Sequence, residues 1–269
     1  MRELPEFDPN TPNIGRIHDY VLGGSANTAA DREAGEQMLR GWPQGAAWSQ
    51  LARACLRRIV TTLVDEYGLD QFLDLGSGIP TVGNVHEVAH RSRPDVRVAY
   101  VDFDPVAVHY ARNLLGEHET RVSTTCADLR EPATVLSAPG VAELLDFTRP
   151  VAVLAIGVLD LTGVQDLAGL IATYRQACAP GSAFALTQAA QMHITDAEIS
   201  QAREALRGTS TPTITYRNQQ ETAALLAGYE LLEPGVVPLS QWRPHYPDNT
   251  AADPHRSNGY AAVGKLPAS

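Results

Sequence analysis

Trp48, Leu51, Ala52, Cys55, Leu56, Ile59, Val60, Leu63 and Val64 recur at steps of three and four, the spacing that lines one face of an α-helix. A continuous apolar stripe has to pack on another layer, so it predicts a core helix. From Gln71 onward the pattern changes to short apolar runs separated by helical stretches. Strands are expected at Phe72 to Leu75, Val96 to Val101, Val122 to Cys126, Val151 to Ile156 and Ala183 to Gln188. Runs that are apolar throughout, rather than alternating, belong to parallel strands covered on both faces. Pro180-Gly181 marks the turn into the fifth strand, and Glu230 to Leu232 and Tyr260 to Val263 read as two more. Upstream, residues 1 to about 15 are Pro- and Asn-rich and expected to be extended. A segment from Ile14 to Gly24 follows, then a helix opening near Thr28 with Asp31 and Glu33 in its first turn. The fold class is α/β, a parallel sheet with helices on both faces.

The first strand runs through Phe72-Leu73-Asp74-Leu75 into Gly76-Ser77-Gly78, and the second runs through Val98-Ala99-Tyr100-Val101 to Asp102. A strand, a glycine turn, a helix and a second strand ending in an acid form the layout of a nucleoside-binding half-fold. Gly76 and Gly78 carry no Cβ, so the backbone can turn sharply and approach a ligand closely. Asp102 is placed to accept hydrogen bonds from both hydroxyls of a ribose. Asp104 is expected to cap the next helix, with Pro105 at its first position. A dinucleotide site would need a third glycine where Thr81 stands, and Asp74 at the mouth of the turn would repel a pyrophosphate. The same acid would attract a sulfonium or ammonium group. The layout therefore points to S-adenosylmethionine, with S-adenosylhomocysteine as product, ahead of a nicotinamide or flavin site or a domain with no ligand.

Composition narrows the partners. The 269 residues are ample for a large core, and a formal charge of −10 opposes a phosphate backbone at long range. A nucleic-acid partner is not expected. No run is long and apolar enough for a secretion signal or a membrane span, so a cytoplasmic protein without a membrane partner is expected. Cys55, Cys126 and Cys178 show no metal spacing and no disulfide framework, and read as buried core residues of a reducing compartment. No metal site is expected. Oligomeric state is not legible.

In open parallel sheets the ligand lies at the carboxyl ends of the strands. After the third strand come Asp128 and Leu129, where the acid could meet an adenine amino group or simply cap a helix. After the fourth come Gly157 and Asp160, the latter either an active-site carboxylate or the cap of a helix beginning near Val164. After the fifth comes His193, either a general base or a surface histidine. His86, His109 and His118 fall on helices and read as structural or solvated. The loop from Gln241 to Gly259 is either an acceptor-shaping loop or a plain surface connection.

The segment Arg16-Ile17-His18-Asp19-Tyr20-Val21-Leu22-Gly23-Gly24-Ser25-Ala26-Asn27, with Asp31-Arg32-Glu33 after it, resembles the N-terminal signature of the actinobacterial S-adenosyl methyltransferases. The likeness continues through Phe72 to Thr81, Asn84-Val85-His86-Glu87, Val101 to Pro105, Ala127-Asp128, Pro150 to Leu159, Glu233-Pro234-Gly235 and Trp242-Arg243-Pro244, nearly the whole chain. It implies a Rossmann-like sheet of seven strands with the last antiparallel. It also implies a helical cap over the donor pocket, residues 1–68, on a methyltransferase core, residues 69–269. Arg16 and Tyr20 then become candidates for holding the methionine carboxylate or closing the pocket, with a structural anchor as the other reading. The donor-site set is Arg16, Tyr20, Gly23, Gly24, Asp74, Gly76, Ser77, Gly78, Asp102, Phe103, Asp128, Leu129 and Gly157, and Asp160 and His193 are the catalytic candidates. His18 stands where the family has tyrosine, Ser25 where it has lysine, and Asp160 where relatives often have histidine. The expected activity is in-line methyl transfer to an oxygen or nitrogen of a small-molecule acceptor, with a donor-binding sensor as the alternative.

Overall fold

The computed structural model describes residues 8–41, 43, 45–79, 83–115, 120–192, 194–207, 209, 214–244 and 258–267. Three helices come first: α1 (Ile14–Val21), α2 (Ala29–Gly41) and α3 (Gly45–Asp65). Asn13 starts α1 by accepting from the amides of Gly15 and Arg16 at 2.7 and 3.3 Å, as N-cap side chains do. Strands and helices then alternate: β1 (Gln71–Leu75), α4 (Val85–Ser92), β2 (Arg97–Asp102), α5 (Pro105–Leu115), β3 (Val122–Cys126), α6 (Pro132–Ser137), α7 (Pro139–Ala142), β4 (Ala152–Ala155), α8 (Leu167–Ala177) and β5 (Ala183–Ala189). The chain closes with α9 (Asp196–Leu206), α10 (Gln219–Ala224), β6 (Glu230–Leu231), β7 (Val237–Pro238) and β8 (Gly259–Lys265).

The strands form one sheet in the order β3-β2-β1-β4-β5-β8-β6. The first five run parallel, while β8 runs antiparallel to both β5 and β6. The sheet has eight strands rather than seven because β7, two residues long and ending in a proline, adds itself to β8 off the main path. No sequence pattern of that length distinguishes a strand from a bend. Among the described residues, no helix is long and apolar enough to cross a membrane.

Alternate strand residues face opposite layers. Phe72, Val98, Leu154 and Val263 pack with the α3 stripe, all of whose members but the half-buried Trp48 are buried. Leu73, Val101, Val153 and Phe184 pack on the other face with Leu167, Ile171 and Tyr174 of α8. Arg58, a cation within the buried face of α3, is held by its Nε to the Trp242 carbonyl at 2.7 Å and by its guanidinium to the Leu239 carbonyl at 2.6 Å. Cys55 is buried, whereas Cys126 and Cys178 are only half-buried, and none of the three is in a disulfide.

Register brings the carboxyl ends of the parallel strands to one edge, with Leu75 opposite Val101 and Asp102 opposite Cys126. The helix after β2 begins at Pro105, and Oδ1 of Asp104 accepts from the Val106 amide at 2.9 Å, as the sequence predicts. The helix after β4 begins later than expected, at Leu167 rather than near Val164, and its cap is Asp166. Asp160 sits instead in a 3-10 turn, Leu159–Leu161, directly after β4, so it does not cap that helix.

Candidate functional site

At this edge lies a cavity of about 520 Å³, within the range of small-molecule sites. Its walls come from α1 and the residue before it (Asn13, Gly15, His18), from α3 (Trp48, Arg53), and from the ends of β1 through β5. Of the expected donor-site residues, Asp74, Gly76, Ser77, Gly78, Asp102, Phe103, Asp128, Leu129 and Gly157 all line it, as does Asp160. The structure brings these together from four separate strand ends.

The β1 turn is shaped by two glycines at φ +68° and +64°, Gly76 and Gly78. Val158 would collide with a Cβ on Gly76, whereas a Cβ on Gly78 would meet nothing within 4 Å. The amides of Gly76 and Ser77 are both held by the Val101 carbonyl, at 2.8 and 3.1 Å. Asp102 is set rigidly, its Oδ2 accepting from the Gly78 amide at 2.7 Å and its Oδ1 from the Asp104 amide at 2.8 Å. A carboxylate has about four lone-pair directions, so capacity remains toward the cavity. Burial pushes Asp102 up to about 6 and Asp74 up to about 7, with Arg53 pulling Asp74 back and Asp102 adding to the rise.

Asp128 is buried and clasped by Arg130, whose Nε lies 2.8 Å from both carboxylate oxygens and whose NH2 lies 2.6 Å from Oδ2. The cap position of the following helix belongs to Glu131. Leu129 is fixed through its carbonyl, which accepts from the Tyr174 hydroxyl at 2.7 Å. Gly157, at φ +70°, gives its amide to Thr187 Oγ1 at 2.7 Å and lies against Trp48. Asp160 is 3% exposed, and among the described residues its Oδ1 is the one buried side-chain atom without a hydrogen-bond partner that belongs to a cavity-lining residue. Burial lifts Asp160 to about 6 against the pull of Arg217.

The remaining expected donor-site residues lie elsewhere. Arg16, 4% exposed, pairs through Nε with Asp31 at 2.8 Å and through NH1 with Asp104 at 3.0 Å, and its NH2 donates to the Thr11 carbonyl at 2.7 Å. It ties α1 to α2 and to the end of β2, and does not line the cavity. Tyr20 packs its ring over Gly35 of α2, with its hydroxyl 3.5 Å from Glu36. Gly23 and Gly24 form the turn after α1, where the Gly24 amide bonds the Asp19 carbonyl at 2.8 Å and Asp19 Oδ2 accepts from Ala26 and Asn27. None of these three lines the cavity. His193 lies outside the described residues, as do His118, Thr81 and most of the loop between Gln241 and Gly259.

Among the cavity residues not singled out from sequence as ligand contacts are Arg53, His18 and Tyr216. Arg53 flanks the α3 stripe as Arg58 does, and no local pattern separates the cation that faces a cavity from the one pinned to a carbonyl. Its only close hydrogen-bond acceptor among the described contacts is the Ile79 carbonyl at 3.5 Å. His18 is half-buried in the wall, and burial together with the Arg53 cation holds it neutral, near 3. Tyr216 sits on the irregular segment between β5 and α10, where nothing periodic marks it.

The cavity fits a nucleoside that carries a cation. Gly78 leaves a space a side chain would fill, Asp102 offers a fixed carboxylate for paired hydroxyls, and the walls hold four carboxylates against the guanidinium groups of Arg53 and Arg130. Comparison with known proteins agrees. A crystal structure of a provisionally assigned methyltransferase from Thermobifida fusca YX superposes with a TM-score of 0.89 at 35% identity, over 96% of each chain. A DUF574 family protein from Streptomyces avermitilis MA-4680 superposes at 0.90 with 32% identity, covering 97% of this chain and 99% of that one. The Burkholderia thailandensis 1,6-didemethyltoxoflavin N1-methyltransferase shares the fold alone, with a TM-score of 0.50 at 15% identity over 80% and 79% of the two chains. No curated protein matches the chain. With the model of the S-adenosyl methyltransferase family matching residues 2–267, this chain belongs to that family.

Proposed function

We propose that this S-adenosylmethionine-dependent methyltransferase acts on an oxygen or nitrogen of a small-molecule acceptor. The observation that carries this reading is a cavity running from the β1 glycine turn and Asp102 to Asp160 in the turn after β4. S-adenosylmethionine supplies the methyl group from a sulfonium centre. Asp102 would hold the ribose hydroxyls and the Gly76–Gly78 turn the nucleoside, with Phe103, Leu129 and Asp128 available to the adenine. Arg53 and the neutral His18 receive the methionine carboxylate, and Asp74 beside them receives the ammonium. Asp160 and Gly157 face the acceptor.

Methyl transfer needs alignment and dryness more than acid or base. Here the enclosing segment is residues 1–68, which we take as a cap whose first helix contributes His18 to the wall. The net charge and the absence of a basic stripe favour a small molecule over a nucleic acid, and three unpaired cysteines favour a reducing, cytoplasmic setting.

Calorimetric titration of S-adenosylmethionine, S-adenosylhomocysteine and NAD into wild type and Asp102→Ala tests the donor site. Donor and product are expected to bind wild type and NAD not to. Asp102→Ala is expected to lose about 2–3 kcal/mol of donor affinity, the worth of hydrogen bonds to a charged group. NAD binding, or donor binding indifferent to Asp102, would refute the assignment.

A further inference from the structure

The sheet divides the cavity above it. The glycine turn and Asp102 lie at the ends of β1 and β2, while β4, β5 and β8 continue the sheet from β1 in the opposite direction. Over this second half the wall is built by Met38 of α2, Trp48 of α3, Leu161 after β4, Ile194 after β5, and Ile214 and Tyr216 of the segment before α10. That segment is strapped to the sheet edge. The Thr215 amide donates to the Asp160 carbonyl at 2.8 Å, the Thr215 carbonyl accepts from Gln188 Nε2 at 2.7 Å, and the Arg217 amide donates to the Ala189 carbonyl at 3.0 Å. Thr215 and Arg217 hold the sheet, and Ile214 and Tyr216, alternating with them as side chains of an extended chain do, line the cavity.

Two aromatic side chains are thereby fixed in one wall. Trp48 is set by two glycines: a Cβ on Gly157 would stand 3.3 Å from its Cη2, and one on Gly259 would stand 3.0 Å from its Nε1. The half-buried Tyr216 is held through its backbone neighbours, and its hydroxyl has no hydrogen-bond partner among the described residues yet keeps accessible surface. The charged residue on this side is Asp160, only 3% exposed. Arg217, behind the strap, has its NH1 on Gln188 Oε1 at 3.0 Å and does not line the cavity.

A charged ligand here would lose its water without gaining a counter-ion. A saturated ring would cover the apolar area but leave the ring faces unused, and each aromatic pair adds about two- to tenfold in affinity beyond the area it buries. A phenol hydroxyl left open calls for a partner on the ligand. From this wall, and resting on the reading of the cavity as a methyltransferase site, we infer that the acceptor is an uncharged aromatic compound, its ring received by Trp48 and Tyr216 and one of its oxygens or ring nitrogens bound by the Tyr216 hydroxyl. Burial and the Asp160 charge push that hydroxyl up to about 12, so it keeps its proton and donates it to the bond. Tyr216 therefore orients the acceptor and takes no proton from it.

The test uses protein saturated with S-adenosylhomocysteine, so that the donor half is filled and only the acceptor half is read. Quinolone, its saturated lactam octahydroquinolinone, and quinoline carboxylate are titrated by calorimetry. Quinolone is expected to bind at least about tenfold more tightly than the saturated lactam or the carboxylate. Tyr216→Phe, which keeps the ring, is expected to weaken quinolone by about two- to tenfold and to preserve the preference for it over the lactam. Tyr216→Leu is expected to shrink that preference, with affinity for S-adenosylhomocysteine unchanged in both variants. Equal or tighter binding of the lactam or carboxylate, no binding of quinolone, quinolone affinity indifferent to Tyr216→Phe, or a ring preference that survives Tyr216→Leu in full would overturn the inference. The ranking on wild type is decisive without any variant. Failure of S-adenosylhomocysteine to bind in the preceding titration would instead refute the methyltransferase site on which the inference rests, so the two failures are told apart.

Discussion

Two glycine turns in this chain look alike along the sequence and differ in what surrounds them. In the turn after α1, a Cβ on Gly24 would overlap the Asp19 carboxylate. Every strong polar group nearby is already spent: Asp19 on Ala26 and Asn27, Arg16 on Asp31, Asp104 and Thr11, and Asp31 on Asn13 and Thr28. In the turn after β1, a side chain on Gly78 would enter open space, and the acids around it keep unspent capacity. Glycine serves the left-handed backbone in both turns, at φ +84° for Gly23 and +64° for Gly78. What separates a folding knot from a binding site is whether the neighbouring donors and acceptors are already satisfied by each other.

The comparison breaks most visibly at Arg16. Removing one partner of a buried ion cluster leaves uncompensated charge, so Arg16→Ala is expected to cost about 3–5 kcal/mol of folding stability, read as a fall in Tm. Well below that Tm, its folded form is expected to bind S-adenosylhomocysteine as wild type does. A variant with wild-type Tm and no ligand affinity would move Arg16 into the site and erase the distinction between the turns.

Asp74 sharpens the other side. Burial pushes it up to about 7, and a cationic ligand prefers it ionised. Affinity for S-adenosylmethionine is therefore expected to fall as pH drops below about 7, by up to about tenfold per unit. Asp74→Asn is expected to flatten the upper part of that curve and leave the part near 6, where Asp102 also titrates. Stability without ligand runs the opposite way: a carboxyl raised above its unfolded value takes up its proton in the folded state, so Tm is expected to rise as pH falls from about 8 to 6.5. Below that, His18, lowered to about 3, opposes the trend because the unfolded state protonates first. Arg53 and Tyr100 also face Asp74 but do not change charge in this window. A flat affinity profile would refute the placement of a cation beside Asp74.

The smallest effect is expected at Tyr20. Its hydroxyl is 3.5 Å from an exposed glutamate, so Tyr20→Phe should change stability by less than about 0.5 kcal/mol and leave ligand binding untouched. A large loss of affinity would show that this helix closes on the ligand through Tyr20.

β1, β2, β4 and β5 were legible as largely apolar runs, and β3, whose middle is Ser123-Thr124-Thr125, begins and ends where expected. The α3 helix was legible from its stripe. β7 was not, being two residues that include Pro238. The start of α8 was placed too early because Asp160 and Asp166 both look like caps, and only the hydrogen bond from Gly169 to Asp166 decides between them. The lining of the cavity was readable wherever a strand end or glycine turn supplies the residue, as with Asp74, Gly78 and Asp102.

What the sequence by itself determined is the backbone: its order of strands, its glycine turn, and the acids that end β1 and β2, because these follow from local periodicity and from residue types with few conformational alternatives. The tertiary structure alone decided which side chains remain available. Arg53 and Arg58 flank one stripe, yet one meets the carbonyls of Leu239 and Trp242 and the other a cavity. Arg16 and Asp160 are both buried, yet Arg16 is paired with two carboxylates while one oxygen of Asp160 is left without a partner. Satisfaction of a polar group depends on neighbours brought from distant segments of the chain, and no local pattern encodes that.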